Sequence, residues 1–205
     1  RKGRTYEDFQ RFMNQNPNLP VVQMDTVKGS RSKDKALLTM LFLQSNIMLM
    51  FLMPDCSSKS VVNVFNTLTK KIGTSAFRAL FPVILTDNGS EFKAVDLLEK
   101  NSSGTERCRI FYCDPQASWQ KAELEKNHEY IRYILPKGTN FGFLTRKKVT
   151  TMMNHINSTK RLGIGNRSPY ELADPADAHM QLLMQELKMD TIPPDDVHLM
   201  PDLIK

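Results

Sequence analysis

Cysteine is scarce in this chain, and the three present, Cys56, Cys108 and Cys113, fall at no metal-ligand spacing. An odd count argues against a disulfide framework, so reduced thiols in a cytosolic core are expected. The four histidines, His128, His155, His179 and His198, are scattered and form no zinc pattern. There is no Gly-rich phosphate loop, no Gly-x-Ser-x-Gly elbow and no Cys–His pair in a recognisable setting, which sets aside nucleotide-loop and acyl-transfer chemistry. Long apolar runs are lacking too. The longest, from Ala36 to Met53, is interrupted by Gln44-Ser45-Asn46 and reads as two strands and a turn, so no membrane span or membrane partner is expected. Internal repeats are absent. No signal peptide is visible, and a chain that begins Arg-Lys-Gly-Arg without an initiator Met is expected to be a piece of a longer protein.

What is present is ordinary in bulk and uneven in charge. The 205 residues are 40% hydrophobic and 24% charged, enough for one substantial core with or without a helical appendage. The formal net charge of +6 points toward a polyanionic partner.

Along the chain, Tyr6, Phe9, Phe12 and Met13 at helical spacing predict a lead-in helix that Pro17 and Pro20 stop, so residues 1–20 read as helix and linker. Val21 to Val27 predicts a first strand, 28–35 a turn, and Ala36–Leu43 with Ile47–Met53 the rest of an antiparallel meander. After Pro54 a helix presents Val61, Val62, Phe65, Leu68 and Ile72 on one face, with Gly73 as its cap. The apolar run Phe81-Pro82-Val83-Ile84-Leu85 predicts a buried strand ending at Asp87, followed by a short helical segment over 91–100 and a fifth strand over Arg109–Cys113. Long helices are predicted over Trp119–Leu135 and about Thr145–Thr159, and Ser168-Pro169-Tyr170-Glu171 has the form of a capping box. The segment 173–205 reads as a Met-rich, acidic, partly helical tail suited to packing on a neighbour. The order predicts an α/β domain over 21–172 with a mixed sheet.

Chemistry is expected where carboxylates meet at strand ends, since ligands of open α/β sheets sit beyond them. Asp87 stands at such a tip. Asp-Asn-Gly is also a hairpin-turn signal, but the pattern after Gly89 is helical and does not return as a strand. Asp25 lies among apolar neighbours in the first strand, where an ionised group is costly unless it is paired or holds a metal; an exposed strand-end aspartate is the plainer alternative. A third carboxylate would come from the long helix. Glu125 and Glu129 share a face there and Glu123 points elsewhere, but periodicity leaves the choice between the first two open. Three convergent carboxylates in a basic domain suit two divalent cations that clamp an in-line phosphoryl displacement.

These segments resemble the catalytic core of bacterial insertion-sequence transposases of the DDE class, most nearly the IS-thirty type, and more distantly the retroviral integrase core. The resemblance rests on Val22-Gln23-Met24-Asp25-Thr26-Val27, Phe81 through Phe92, Ile110 through Pro115, Trp119-Gln120-Lys121, Glu125 through Arg132, Ile134 through Gly138, and Ser168 through Leu172. It implies an RNase H-like fold, a mixed five-stranded sheet flanked by helices, with the first and fourth strands adjacent. It also implies that the glutamate is Glu125, six residues after Trp119 and separated from Asp87 by 37 residues. Asp25, Asp87 and Glu125 would then be catalytic and hold two Mg²⁺, with Mn²⁺ able to substitute. Arg132, seven residues beyond Glu125, would reach a phosphate, and Lys121, Lys126 and Lys93 would contact DNA backbone.

The family's helix-turn-helix region is not part of this sequence, so the chemistry is expected here without the recognition of terminal repeats. The activity implied is end cleavage and strand transfer on double-stranded DNA, at element ends and target, by a homodimer or higher oligomer. Its setting would be the bacterial cytoplasm, on the nucleoid. The alternatives are an RNase H-like nuclease without strand transfer and a non-catalytic DNA-binding relic.

Overall fold

β1 (Val21–Lys28) is the middle of the molecule because it pairs differently on its two sides. On one side it runs antiparallel to β2 (Ala36–Phe42), which runs antiparallel to β3 (Met48–Met53). On the other it runs parallel to β4 (Val83–Thr86), which runs parallel to β5 (Arg109–Tyr112). The order β3-β2-β1-β4-β5 is the mixed five-stranded sheet of the RNase H-like fold. The computed structural model describes residues 2–30 and 35–205. β1 continues through Lys28, and the part of the predicted 28–35 turn over 31–34 lies outside the described residues.

The unbroken apolar composition of β2 has a structural cause: all seven of its residues are buried, so it is covered on both faces. Alternation in β4 and β5 divides the core. Val83, Leu85, Phe111 and Cys113 meet Tyr6, Phe9, Phe12 and Met13 of α1 (Tyr6–Gln15). Ile84, Ile110 and Tyr112 point the other way, into the main core with Phe65 and Phe77 of α2 (Ser58–Leu80). Gly73, expected to end that helix, instead kinks it: at φ 83° and ψ 156° it interrupts the helical path, and the chain resumes helix to Leu80.

The 91–100 segment forms a single 3₁₀ turn at Ser90–Phe92 and then α3 (Val95–Glu99). The long helix predicted from Trp119 opens as a 3₁₀ turn over Ser118–Lys121. Lys121, at φ −125° and ψ 30°, leaves helical geometry, and α4 proper spans Ala122–Ile134. α5 (Arg146–Ser158) is capped by Thr145, and the Ser168–Glu171 capping box opens α6 (Pro169–Leu172).

The segment beyond α6 folds back onto this same domain. α7 (Ala178–Glu186) buries Met180 and Leu183 and approaches α2, where Lys71 pairs with Glu186 at 3.2 Å. Ile192 N–H donates to Ser158 Oγ at 2.8 Å, His198 N–H to His155 Nδ1 at 3.0 Å, and Ile204 is buried. Among the described residues no helix is long and apolar enough to cross a membrane.

Candidate active site

The parallel register of β1 and β4 pairs Met24 with Thr86, so Asp25 and Asp87 follow as neighbours at the open end of the sheet. The buried Thr86 hydroxyl fixes that register by donating to Met24 O at 3.0 Å. Each aspartate divides its two oxygens in the same way. Asp25 Oδ1 accepts the N–H of Thr26 at 2.7 Å and Asp87 Oδ1 accepts the N–H of Gly89 at 2.8 Å. Both Oδ2 atoms face Lys121 Nζ, at 2.9 Å for Asp25 and 3.5 Å for Asp87. Asp87 thus begins a local turn, but no strand returns from it. Gly89 is there for space: a Cβ on it would lie 2.6 Å from Glu91 Oε2 and 3.0 Å from Asp87 Oδ1.

The resemblance implies that Lys121 contacts DNA backbone. It lies instead in the interior with its side chain only 4% exposed, because the non-helical turn before α4 aims it at the strand ends. Burial pulls its pKa down, but Asp25 and then Asp87 outweigh that pull, so the ammonium is held above its ordinary value.

Behind Asp25 the site is fixed to α4 by two side chains. Gln23 reaches from β1 to accept the Leu124 N–H at 3.0 Å and to donate to Gln120 O at 3.5 Å. α4 has no side-chain cap of its own, so Gln23 satisfies one of its free first-turn donors from across the sheet. One turn on, His128 Nε2 lies 2.9 Å from Thr39 Oγ1, while the Thr39 hydroxyl donates to Asp25 O at 3.1 Å. With the threonine proton committed, the histidine must carry its proton on Nε2. Burial, against the opposing pull of Asp25, drives its pKa down to about 4, so the ring is neutral and adds no charge.

On the other side of Asp25, Glu91 is buried with its Oε1 accepting from Thr26 Oγ1 at 2.7 Å and Cys56 Sγ at 3.2 Å, and Lys28 Nζ is 3.6 Å away. Burial raises its pKa, but its own backbone N–H, then Thr26, Cys56 and Lys28, more than offset that. The group stays ionised below the usual range.

The structure brings Asp25 and Asp87 together and leaves the helix carboxylates outside. Glu125 is exposed, as are Glu123 and Glu129. Among the described residues no three His, Cys, Asp or Glu side chains are grouped to hold a metal ion. The two aspartates fit a hard cation in chemistry and in convergence, since they already share one positive group. Of the residues expected to touch DNA, Lys93 and Lys126 are exposed, and Arg132 is partly buried with Nη1 3.5 Å from Leu135 O.

Two curated proteins are similar to this chain in sequence. The transposase of insertion sequence element IS1086 from Cupriavidus metallidurans is 25% identical over 158 residues, 75% of this chain and 44% of that protein. The transposase of element IS4351 from Bacteroides fragilis is 30% identical over 93 residues, 45% of this chain and 27% of that protein. The chain is similar to insertion-sequence transposases. It spans less than half the length of either. No family model matches it.

Among solved structures, a chain of the simian T-cell lymphotropic virus intasome, in complex with PP2A regulatory subunit B56 gamma, superposes with a TM-score of 0.58 at 14% identity. The match covers 78% of this chain and 56% of that one, and it shows a common fold. The catalytic core domain of BIV integrase, at 16% identity, covers 74% of this chain and 91% of that one with a TM-score of 0.49.

The residues that support the site are the hardest to read from sequence. His128 looked scattered, although its place three residues after Glu125 puts it on a neighbouring stretch of the same helix. Gln23 carried a weak signal, a polar residue in an apolar strand. Glu91 carried one too, as a carboxylate just before the buried Phe92.

Proposed function

We propose that this chain is the catalytic domain of an insertion-sequence transposase, cutting DNA at the element's ends and joining the freed 3′-hydroxyl to target DNA. The observation that carries the reading is the convergence of Asp25 and Asp87 on one cationic group, at 2.9 and 3.5 Å, at the open end of the sheet. The similarity to transposases over most of the chain supports it independently.

Asp25, Asp87 and Glu125 would hold two Mg²⁺, or Mn²⁺ in their place. When bound, such ions supply positive charge to phosphate oxygens and acidity to an attacking water or 3′-hydroxyl. The chain's own residues do the rest. Thr26 and Gly89 amides hold the two aspartates by their Oδ1 atoms, which aims both Oδ2 atoms at a common point. Neutral His128 and Thr39 keep the region behind Asp25 free of added charge. Lys93 and Lys126 are exposed and would bind backbone phosphates, a salt-sensitive and sequence-independent contribution. Arg132 would reach a phosphate from further along α4. Two element ends must be held at once, so the working form would be a dimer or larger on double-stranded DNA, in the bacterial cytoplasm with the nucleoid.

The test is Asp87→Asn in the full-length protein with its terminal repeats. Mg²⁺- or Mn²⁺-dependent nicking and strand transfer should both disappear while the circular dichroism spectrum is unchanged. Undiminished activity would overturn the mechanism. Nicking by a wild type that never joins a pre-cut end would point to a nuclease.

A further inference from the structure

The position of Lys121 has a consequence for how a metal binds. Its side chain is 4% exposed, and its ammonium lies 2.9 Å from Asp25 Oδ2 and 3.5 Å from Asp87 Oδ2 at the strand ends. The other oxygen of each aspartate already accepts a backbone N–H, so the Oδ2 atoms that Lys121 holds are the ones turned toward a cation shared by both aspartates. A monovalent ammonium and a divalent ion cannot share that point, since like charges a few ångströms apart repel strongly in a partly desolvated site.

Two neighbours of Lys121 among the described residues are already committed. Gln120 is committed to Asp114 through two hydrogen bonds of 2.8 and 2.9 Å, and the nearby thiol, Cys113, is held neutral by burial. Lys121 itself precedes α4 in a non-helical conformation, so its side chain can swing without unwinding the helix.

We propose that Lys121 is a built-in competitor of the metal: its ammonium occupies the Asp25–Asp87 pair, and a divalent cation binds there only by displacing it. This rests on the reading of the aspartate pair as a metal site. The lysine therefore sets metal affinity in the protein without DNA. Once displaced toward the exposed Asp87 side, it is free to pair with a backbone phosphate, so DNA binding and metal binding reinforce each other.

The experiment measures Mn²⁺ uptake by full-length wild type, Lys121→Met and Asp25→Asn, following free Mn²⁺ by electron paramagnetic resonance in the absence of DNA. Lys121→Met keeps the stem and removes the charge, and should bind Mn²⁺ about tenfold more tightly than wild type. Equal or weaker binding overturns the inference while leaving the metal site intact, provided Asp25→Asn abolishes uptake. Uptake that Asp25→Asn leaves unchanged overturns the metal site, and the inference with it.

A second measurement needs only wild type. Acylation of Lys121 by an amine-reactive reagent, quantified by mass spectrometry, should rise several-fold when Mn²⁺ is added at saturation. Unchanged labelling overturns displacement even if Lys121→Met does not fold.

Discussion

The strand ends and the helix that faces them place acidic residues by different means. At the strand ends, position follows from pairing: Met24 opposite Thr86 fixes Asp25 beside Asp87, and each carboxylate is then tied by one oxygen to its own backbone. On α4, position follows from docking, and the helix is held to the sheet near the site by Gln23 and His128. Its own acidic residues, Glu123, Glu125 and Glu129, all face solvent. Pairing therefore preorganises the aspartate pair, whereas docking leaves the acidic side chains of α4 in solvent. Perturbing the docking contacts should therefore change α4 and spare the aspartate pair.

The largest effect should come from acid. The His128 ring is held neutral with its pKa at about 4 against an ordinary 6.5, so between those values the unfolded chain takes up a proton that the folded chain refuses. Stability should accordingly be fully present above about pH 6.5 and fall as pH drops toward 4. The loss should be on the order of 2–3 kcal/mol greater in wild type than in His128→Gln. Denaturant unfolding of both proteins at pH 7 and pH 4.5 measures it. Parallel pH profiles for the two would show that the helix is not anchored through this ring.

Gln23→Leu should come next. It leaves the buried Leu124 N–H and Gln120 carbonyl without partners and should cost about 1–3 kcal/mol, read as a shift of the denaturation midpoint. Hydrogen exchange locates the damage: the Leu124 amide should exchange faster, while the amides that pair β1 with β4 keep their protection. Equal acceleration in both places would erase the distinction between pairing and docking.

How far the sequence reveals these regions follows from the same contrast. Five strands and their order of appearance are legible because short apolar runs bounded by Pro, Gly and Asn carry a local signal, as at Phe81–Leu85 before Asp87. That β1 lies beside β4 is not local, and it came from the resemblance. Gly73 reads as a stop in the sequence because a glycine after an apolar face usually caps. The 3₁₀ start before α4 left no mark, because Trp119-Gln120-Lys121 contains no breaker. Lys121 was legible as a cation near the site but not as an interior one: a lysine's burial depends on where its carboxylate partners end up, which is a tertiary fact. The return of segment 173–205 onto α2 and α5 was hidden for a similar reason, since its Met-rich composition shows that it will bury surface without showing against what.

Glu125→Gln should have the smallest effect on folding and is the finest probe of the contrast. Its side chain is exposed and makes no hydrogen bond or ion pair among the described residues, so stability should move by no more than about 0.5 kcal/mol. Asp25→Asn should cost more, about 1–3 kcal/mol, because it removes the nearer partner of a buried ammonium and leaves Lys121 with Asp87 at 3.5 Å. Under the proposed function both variants lose metal-dependent nicking in the full-length protein. Thermal unfolding and nicking measured on the same two preparations then separate the strand-end carboxylate, which serves fold and chemistry together, from the helix carboxylate, which serves chemistry alone. If Glu125→Gln cuts DNA as well as wild type does, the third carboxylate is Glu129, one turn further along the same face of α4, and the same pair of measurements on Glu129→Gln decides it.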